Sequence, residues 1–484
     1  MQRPTMRGAC GVCAVAIALL GALLQSTHQV RPECLKRSSG TVGSGNGVRH
    51  HWPNSLGHHG KYGTSPVAGP RNLSQAYSWT YETPTGRFRT PGIGGSVIDA
   101  EKNIYLAANY MMIKFSPDGK VLWEASIKPH CEHPTSQYPV MMNSPSLWGD
   151  AVFGSVETGS VFALNAATGQ ELWSTQVLQD LLPPGTTNNG FVQAHGGYVV
   201  ADAFSVVHAL NATDGSKLWH FKPEVPVWNF MAAFPDDGTV LFQDWTGKAY
   251  RLRLADGELL WKAGGVPGTW TDGSIMVGPN GLVYAVNTYV FIGMPPARPM
   301  AGAVTAYRLS SGERVWQKEV AEPPNNVPVV GRLGRGPGLS LVQPIGQQAM
   351  QGAQYFVLAL DAETGEQQWI FKGPKQVGRH QAMRDLSPEL QAQISVTCIP
   401  NPWSAPTIDS TGTVYIANQE GPIFALRDAN GDGEVLGEGE VDSYETLRGF
   451  CGSEAPSLAP GLMSIASCDS MYVFRWPEES ATVA

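Results

Sequence analysis

Residues 358–369 read LALDAETGEQQW, and their reading decides the fold. A short apolar run leads into a small–acidic–Thr–Gly turn, and Trp369 stands four residues after Gly365. The same arrangement ends FSPDGKVLW at Trp123, LNAATGQELW at Trp173, LNATDGSKLW at Trp219, LRLADGELLW at Trp261 and YRLSSGERVW at Trp316. Successive tryptophans lie 50, 46, 42, 55 and 53 residues apart. A Thr-Gly, Asp-Gly or Ser-Gly pair supplies the positive φ that closes a tight hairpin. The tryptophan then falls on the outgoing strand, where its ring can cover a neighbouring sheet. An apolar strand such as SVFALN or VVHALN precedes each turn, and two more strands around a second turn precede that, as in APTIDSTGTVYIAN at 405–418. Four strands in 42–55 residues is the size of a propeller blade.

Two further blades lack the tryptophan. One begins at Ser404, and the other, EAPSLAPGLMSIASCDSMYVFRW, stops after three strands. Its missing outer strand is available in NLSQAYSWTYE (72–82), around Trp79. The expectation is an all-β chain: an eight-bladed β-propeller of four-stranded antiparallel blades over residues 51–476. An N-terminal strand near 74–83 completes the last blade, so that a monomeric ring exposes no open end. Inter-blade connections and second-to-third-strand turns share one face, and the Gly–Trp hairpins occupy the other.

The totals agree with a turn-rich globular chain: 484 residues, 42% hydrophobic, 15% charged, 55 Gly and 36 Pro. Residues 1–75 carry eight Lys/Arg and one acid, leaving 25 basic and 40 acidic residues in the body. That balance argues against a nucleic-acid partner. Arg3 and Arg7 precede an apolar run of about fifteen residues. Residues 1–26 therefore read as a signal peptide or signal anchor, and 27–50 as a basic Ser/Gly-rich linker that also suits a bipartite organelle leader. Contact with a membrane is expected only through this N-terminal segment, if uncleaved. Residues 477–484 are a tail.

The pattern Asp/Asn-x-x-Thr/Asp-Gly-x-x-x-Trp resembles the tryptophan-docking repeat of pyrroloquinoline-quinone-like, quinoprotein-type propellers. HWPNSLGHHGKYGTSPVAGP (51–70) is similar to their lead-in to the first strand. That family includes quinoprotein alcohol dehydrogenases, the propeller subunit of the bacterial outer-membrane assembly machine and lumenal stress-sensing kinase domains. In its dehydrogenases, a disulfide between adjacent cysteines caps the quinone (PQQ), a tryptophan floors it, and Glu/Asn/Asp side chains hold calcium beside it. This chain has no adjacent cysteines, no CxxCH haem site and no residue assignable as the base. No catalytic residue is named, and quinone is disfavoured as a cofactor.

RDANGDGEVLGEGE (427–440) carries the other chemical signal. Asp428, Asn430 and Asp432 stand at positions 1, 3 and 5 of a calcium loop, with the turn glycine at 6 and the Glu434 carbonyl at 7. Position 12 is Gly439, with Glu438 and Glu440 on either side. The alternative is a solvated acidic turn replacing the Gly–Trp hairpin of blade 7. Cys451 and Cys468 are symmetric about LAPG, so a hairpin centred between Ala459 and Pro460 would bring them opposite each other as a disulfide. Cys131 and Cys398 both precede inner strands and are a second possible pair. KPHCEHP (128–134) and His50, His51, His58 and His59 read as loop and lead-in residues. VGRLGRGPG (330–338) reads as a flexible connection on the inter-blade face. DLSPELQAQIS (385–395) reads as one short helix, and Asn72 and Asn211 stand in Asn-x-Ser/Thr sequons.

The functional expectation is a non-catalytic scaffold for protein–protein interaction or assembly in the secretory pathway or an organelle lumen, stiffened by calcium in blade 7. Its protein partner is unknown. The alternatives are a quinone-dependent dehydrogenase and a carbohydrate- or small-ligand-binding propeller.

Overall fold

The computed structural model describes residues 36–478 apart from 44–47, 59–60, 83–94, 109–110, 128–143, 157–158, 178–191, 204–205, 228, 272, 290–299, 335–337, 347–351, 377–400, 447, 451–454 and 468–469. Eight antiparallel sheets form the blades of one ring. From the inside out, blade 1 is Ser96–Ile98, Ile104–Ala108, Met111–Phe115 and Val121–Ser126. The order repeats over 146–176, 193–221, 233–264, 276–320, 329–375 and 407–445. In blade 4 the inner strand is reduced to a bridge between Ala233 and Leu241. Blade 8 takes three strands from 457–475 and its outer strand, Tyr77–Glu82, from the other end of the chain. The closure read from Trp79 is therefore the one observed.

The repeat acts between blades. Each outer-strand tryptophan lays its ring on the turn glycine of the next blade and donates its indole N–H to a carbonyl of that hairpin. Trp79 donates to Pro117 (3.0 Å), Trp123 to Ala166 (3.1 Å) and Trp173 to Ala212 (3.0 Å). Trp219 donates to Leu254 (2.8 Å), Trp261 to Leu309 (2.8 Å) and Trp316 to Ala362 (3.0 Å). The contact requires glycine twice over: Gly215 has φ +70°, and a Cβ there would come within 2.4 Å of Trp173. Each indole N–H to carbonyl bond contributes about 1 kcal/mol, and the apolar area of the ring adds more.

Two seams depart from the rule. At Trp369, blade 7 offers the 427–440 loop instead of a tight turn. That loop clamps the strand by backbone: Ile370 N–H donates to Gly433 O and Val435 N–H to Ile370 O, both at 3.0 Å. In blade 7 the docking position, opposite Ala425, is Asp442. Its carboxylate accepts the Leu73 N–H (2.7 Å) at the start of the short helix Leu73–Ala76, which leads into the closing strand.

Some sequence expectations shift. VGRLGRGPG begins inside the inner strand Val329–Gly331, and its described residues beyond it, 332–334 and 338, stand before Ser340–Ile345, between first and second strands of one blade and so on the hairpin face. The hairpin 457–466 pairs Ala459 with Leu462, one residue along from the centre that the cysteine symmetry assumes. Cys131, Cys398, Cys451 and Cys468 themselves lie outside the described residues, as do 128–134 and 385–395. No helix among the described residues is long and apolar enough to cross a membrane.

Candidate functional site

The axis of the ring is filled from the hairpin face by the chain itself. Trp52 pairs by backbone with Ile98 of blade 1, and the Pro53 carbonyl accepts the Leu147 N–H of blade 2 (2.8 Å). Ser55 accepts from Gln193 of blade 3 (3.4 Å) and donates to the Met231 sulfur of blade 4 (3.4 Å). The chain then turns through the short hairpin Gly57–His58 and Lys61–Tyr62. Gly63 packs on Val329 of blade 6, and Thr64 bridges Ile408 of blade 7. Inner strands have one edge paired within their blade and the other facing the axis, so an extended segment there satisfies backbone groups that would otherwise stay open. Trp52 and Leu56 are 1% and 3% exposed. His50 is buried as well, its Nε2 on Gly149 O (3.2 Å) and its Nδ1 without a partner. Burial lowers its pKa below the ordinary imidazole value, opposed by the Gly149 carbonyl.

The chain continues outward from both ends of this plug on the hairpin face. Gly69 N–H reaches Asp409 (2.8 Å) on the way to blade 8. Upstream, Gly43 N–H reaches Asp150 (2.8 Å), and Lys36–Ser38 add a fifth strand to the rim of blade 2. Residues 36–43 thus belong to the propeller surface, although their composition reads as linker.

The 427–440 loop organises part of its expected donor set. Asp428 accepts from Gly431 N–H (2.7 Å) and Gly433 N–H (3.3 Å), Asn430 from Asp432 N–H (2.8 Å), and Asp432 from Glu434 N–H (2.8 Å). Of the two acids flanking position 12, Glu440 folds back over the loop. Its carboxylate accepts from Leu436, Ala429 and Asn430 N–H groups at 3.0–3.1 Å. These bonds, Leu436 first, hold its pKa below the usual carboxylate value. The Glu434 side chain turns away to Lys372 (3.3 Å). No three carboxylates, imidazoles or thiolates among the described residues converge as a metal site.

At the inter-blade ends of blades 4–7, buried amides knit neighbouring segments. Gln243 donates to Gly273 O (2.8 Å), Gln343 to Asn326 O (3.0 Å), Asn326 to Trp403 O (2.7 Å), Asn325 to Asn401 (3.1 Å) and Gln376 to Asn418 (3.2 Å). The carbonyl oxygens of Gln193, Gln243, Gln343 and Gln376 are buried without a donor. Sequence reasoning missed both the plug and this amide belt. The belt's one local signal is a polar residue at or near the end of second strands, as in TVLFQ (239–243), SLVQPI (340–345) and VYIAN (414–418).

Residues 112–289 and 157–432 match a family model described as outer membrane protein assembly factor BamB, together more than half of the chain. The chain belongs to this family of PQQ-repeat propellers. It is 24% identical over 227 residues to BamB of Yersinia pestis, covering 44% of this chain and 53% of the relative. To BamB of Burkholderia pseudomallei it is 27% identical over 183 residues, covering 37% and 42%. The chain thus spans about half the length of these curated relatives. BamB of Moraxella catarrhalis superposes with TM-score 0.54 at 13% identity, covering 84% of this chain and 98% of that one. Quinohemoprotein alcohol dehydrogenase of Comamonas testosteroni gives 0.57 at 13% identity, covering 90% and 82%. At such identities the structural likeness speaks to fold alone.

The dehydrogenase relatives raise the question of a quinone. Trp52–Leu56 are buried at the described part of the axis. No step through such a group is derived.

Proposed function

We propose that the chain is a non-catalytic propeller scaffold for protein–protein interaction or assembly in an extracytoplasmic compartment, the secretory pathway or an organelle lumen. The observation that carries this reading is the self-filled axis. The ring uses its own N-terminal segment as the axial ligand on the hairpin face, which leaves the inter-blade face and the blade rims as working surfaces. The amide belt stiffens that inter-blade face and keeps buried carbonyl acceptors along it. The assembly-factor description of the matching family and the leader-like N-terminus support the reading and its compartment. Calcium in the 427–440 loop serves the same end: by ordering the clamp on Ile370, it stiffens the seam between blades 6 and 7. The dehydrogenase and small-ligand readings rest on resemblance, and the filled axis favours neither.

The test is to purify the processed protein from its native source, cross-link it to bound proteins and analyse the denatured extract for quinone. The expected result is one defined partner cross-linked to the inter-blade face or a rim, with no quinone. Stoichiometric quinone, or a protein that carries no partner at native concentration, overturns the reading.

A further inference from the structure

Blade 3 sets two histidines face to face. Its third strand, Val206–Asn211, and its outer strand, Lys217–Phe221, are antiparallel neighbours, and their register places His208 directly opposite His220. Side chains at directly opposed positions leave a sheet on the same side. Here that side faces blade 2, because Leu210, two residues on from His208, packs with Trp173. Val207 and Ala209 point the other way, into the core shared with Phe242 and Tyr250 of blade 4. The two imidazole centroids are 6.1 Å apart, with the rings 36° from parallel. His208 is 9% exposed, while His220 lies open to solvent.

A buried histidine ordinarily finds a partner for its ring nitrogens. His195 has Asp236 at 3.0 Å, and His50 has Gly149 O at 3.2 Å. Among the described residues His208 has neither an acceptor nor an acid. Its ring neighbour is His220, and the charged groups acting on it are the basic Lys217 and His220. Burial, with those two groups beside it, holds its pKa down to about 3, so the ring is neutral and keeps a lone pair at physiological pH. Two facing imidazoles with no hydrogen bond spent on either are a donor set for a transition-metal ion. The spacing agrees. A zinc–nitrogen bond of about 2.1 Å puts each ring centroid about 3.2 Å from the ion, so two rings on one ion stand roughly 5.2 Å apart at a tetrahedral angle and at most about 6.4 Å apart. The observed 6.1 Å lies inside that range.

We propose that His208 and His220 form a zinc site across the third and outer strands of blade 3, with the remaining coordination positions open to water. The site uses nitrogen donors, unlike the oxygen-donor loop at 427–440, and it does not depend on the scaffold reading. Bound zinc clips the outer strand of blade 3 to its neighbour beside the seam with blade 2. Lys217 limits the affinity. It stands on the same side, opposite Leu210, and its positive charge opposes the ion. Burial lowers the Lys217 pKa, which softens that opposition as pH rises.

The probe is zinc itself, titrated by calorimetry into the full processed protein after chelator treatment. Excess calcium is kept present so that oxygen donors are competed. Expected is one equivalent of zinc that His208→Gln and His220→Gln each weaken at least about tenfold and that Lys217→Met tightens. His220→Gln alters an exposed side chain, and matching near-ultraviolet circular dichroism of the metal-free proteins confirms that both histidine variants fold. Zinc should also shield His220 from diethyl pyrocarbonate, read on the parent protein by peptide mass spectrometry, a measurement that needs no variant to fold. Absence of zinc binding at micromolar concentration overturns the inference. Binding that survives both substitutions overturns it as well, since the ion would then sit elsewhere. Loss with His220→Gln alone would mark a single surface imidazole and overturn it too.

Discussion

Replacing Gly215 by alanine separates what the docked tryptophan contributes from what the turn itself requires. Gly215 adopts φ +70°, and a Cβ would meet Trp173 Cε3 at 2.4 Å and Cδ2 at 2.6 Å. Gly238 is the control: its φ is +78°, yet nothing lies within 4 Å of the added atom. A left-handed alanine costs about 1–2 kcal/mol at either position, and the loss of unfolded-state entropy is common to both. Only Gly215→Ala adds overpacking against a buried ring, about 1–3 kcal/mol more. Trp173 cannot retreat easily, because its N–H is held by Ala212 O and Thr175 donates to Gly215 O at 2.7 Å on the same seam. Urea unfolding of the two variants beside the parent, followed by tryptophan fluorescence, should show Gly215→Ala less stable than Gly238→Ala by that margin. Native-state hydrogen exchange should place the extra loss at the blade 2–blade 3 seam. Equal losses in the two variants would refute the argument that the glycine is selected by the neighbouring blade.

Terbium luminescence sensitised through Trp369 should report an ion in the 427–440 loop, competed by calcium and lost in Asp432→Ala; a loop that stays silent at millimolar terbium removes the calcium proposal. Because Glu440 has a lowered pKa in the fold, its hold on the loop is present above the ordinary carboxylate range and fades as pH falls through the lowered value. Glu440→Gln should therefore flatten the acid limb of hydrogen exchange at 429–436. His50 also titrates below its ordinary value, so the unfolded state binds its proton first. The plug is held fully above about pH 6.5 and loosens as pH drops below it; exchange of residues 50–56 should accelerate there, and His50→Gln should reduce the dependence, leaving the share of His51, whose pKa burial also lowers. Asp442→Ala should cost about 1.5–3 kcal/mol by removing a charged acceptor from Leu73 N–H. Asp442→Asn should recover most of it, and equal losses in the two would assign the effect to the blade instead of the bond.

How much was legible follows from where each signal resides. A hairpin with Gly at positive φ and Trp four residues on is local chemistry repeated six times, so blade number, strand order and the closing role of Trp79 could all be read along the chain. The loop at 427–440 was legible as a loop for the same reason, down to its position between the last two strands of blade 7. The face of 330–338 was misread because a Gly-rich stretch without an apolar period does not announce which pair of strands it joins. The hairpin at 459–462 turns one residue beyond the midpoint of Cys451 and Cys468, because turn geometry and not cysteine spacing sets its register.

The sequence by itself determined a closed ring of eight blades and the chemistry of its turns, because each repeat carries its own pattern of turn residues, strand residues and docking ring. Only the tertiary structure decided what the non-repeating residues do: that 52–65 fill the axis, that 36–43 extend the rim of blade 2, that Asp442 replaces a tryptophan to receive a helix start, and that 433–435 clamp blade 6. Those segments are held largely by backbone hydrogen bonds to strand edges. Such bonds are open to almost any side chain, so no residue type marks them until the partner strand is in place.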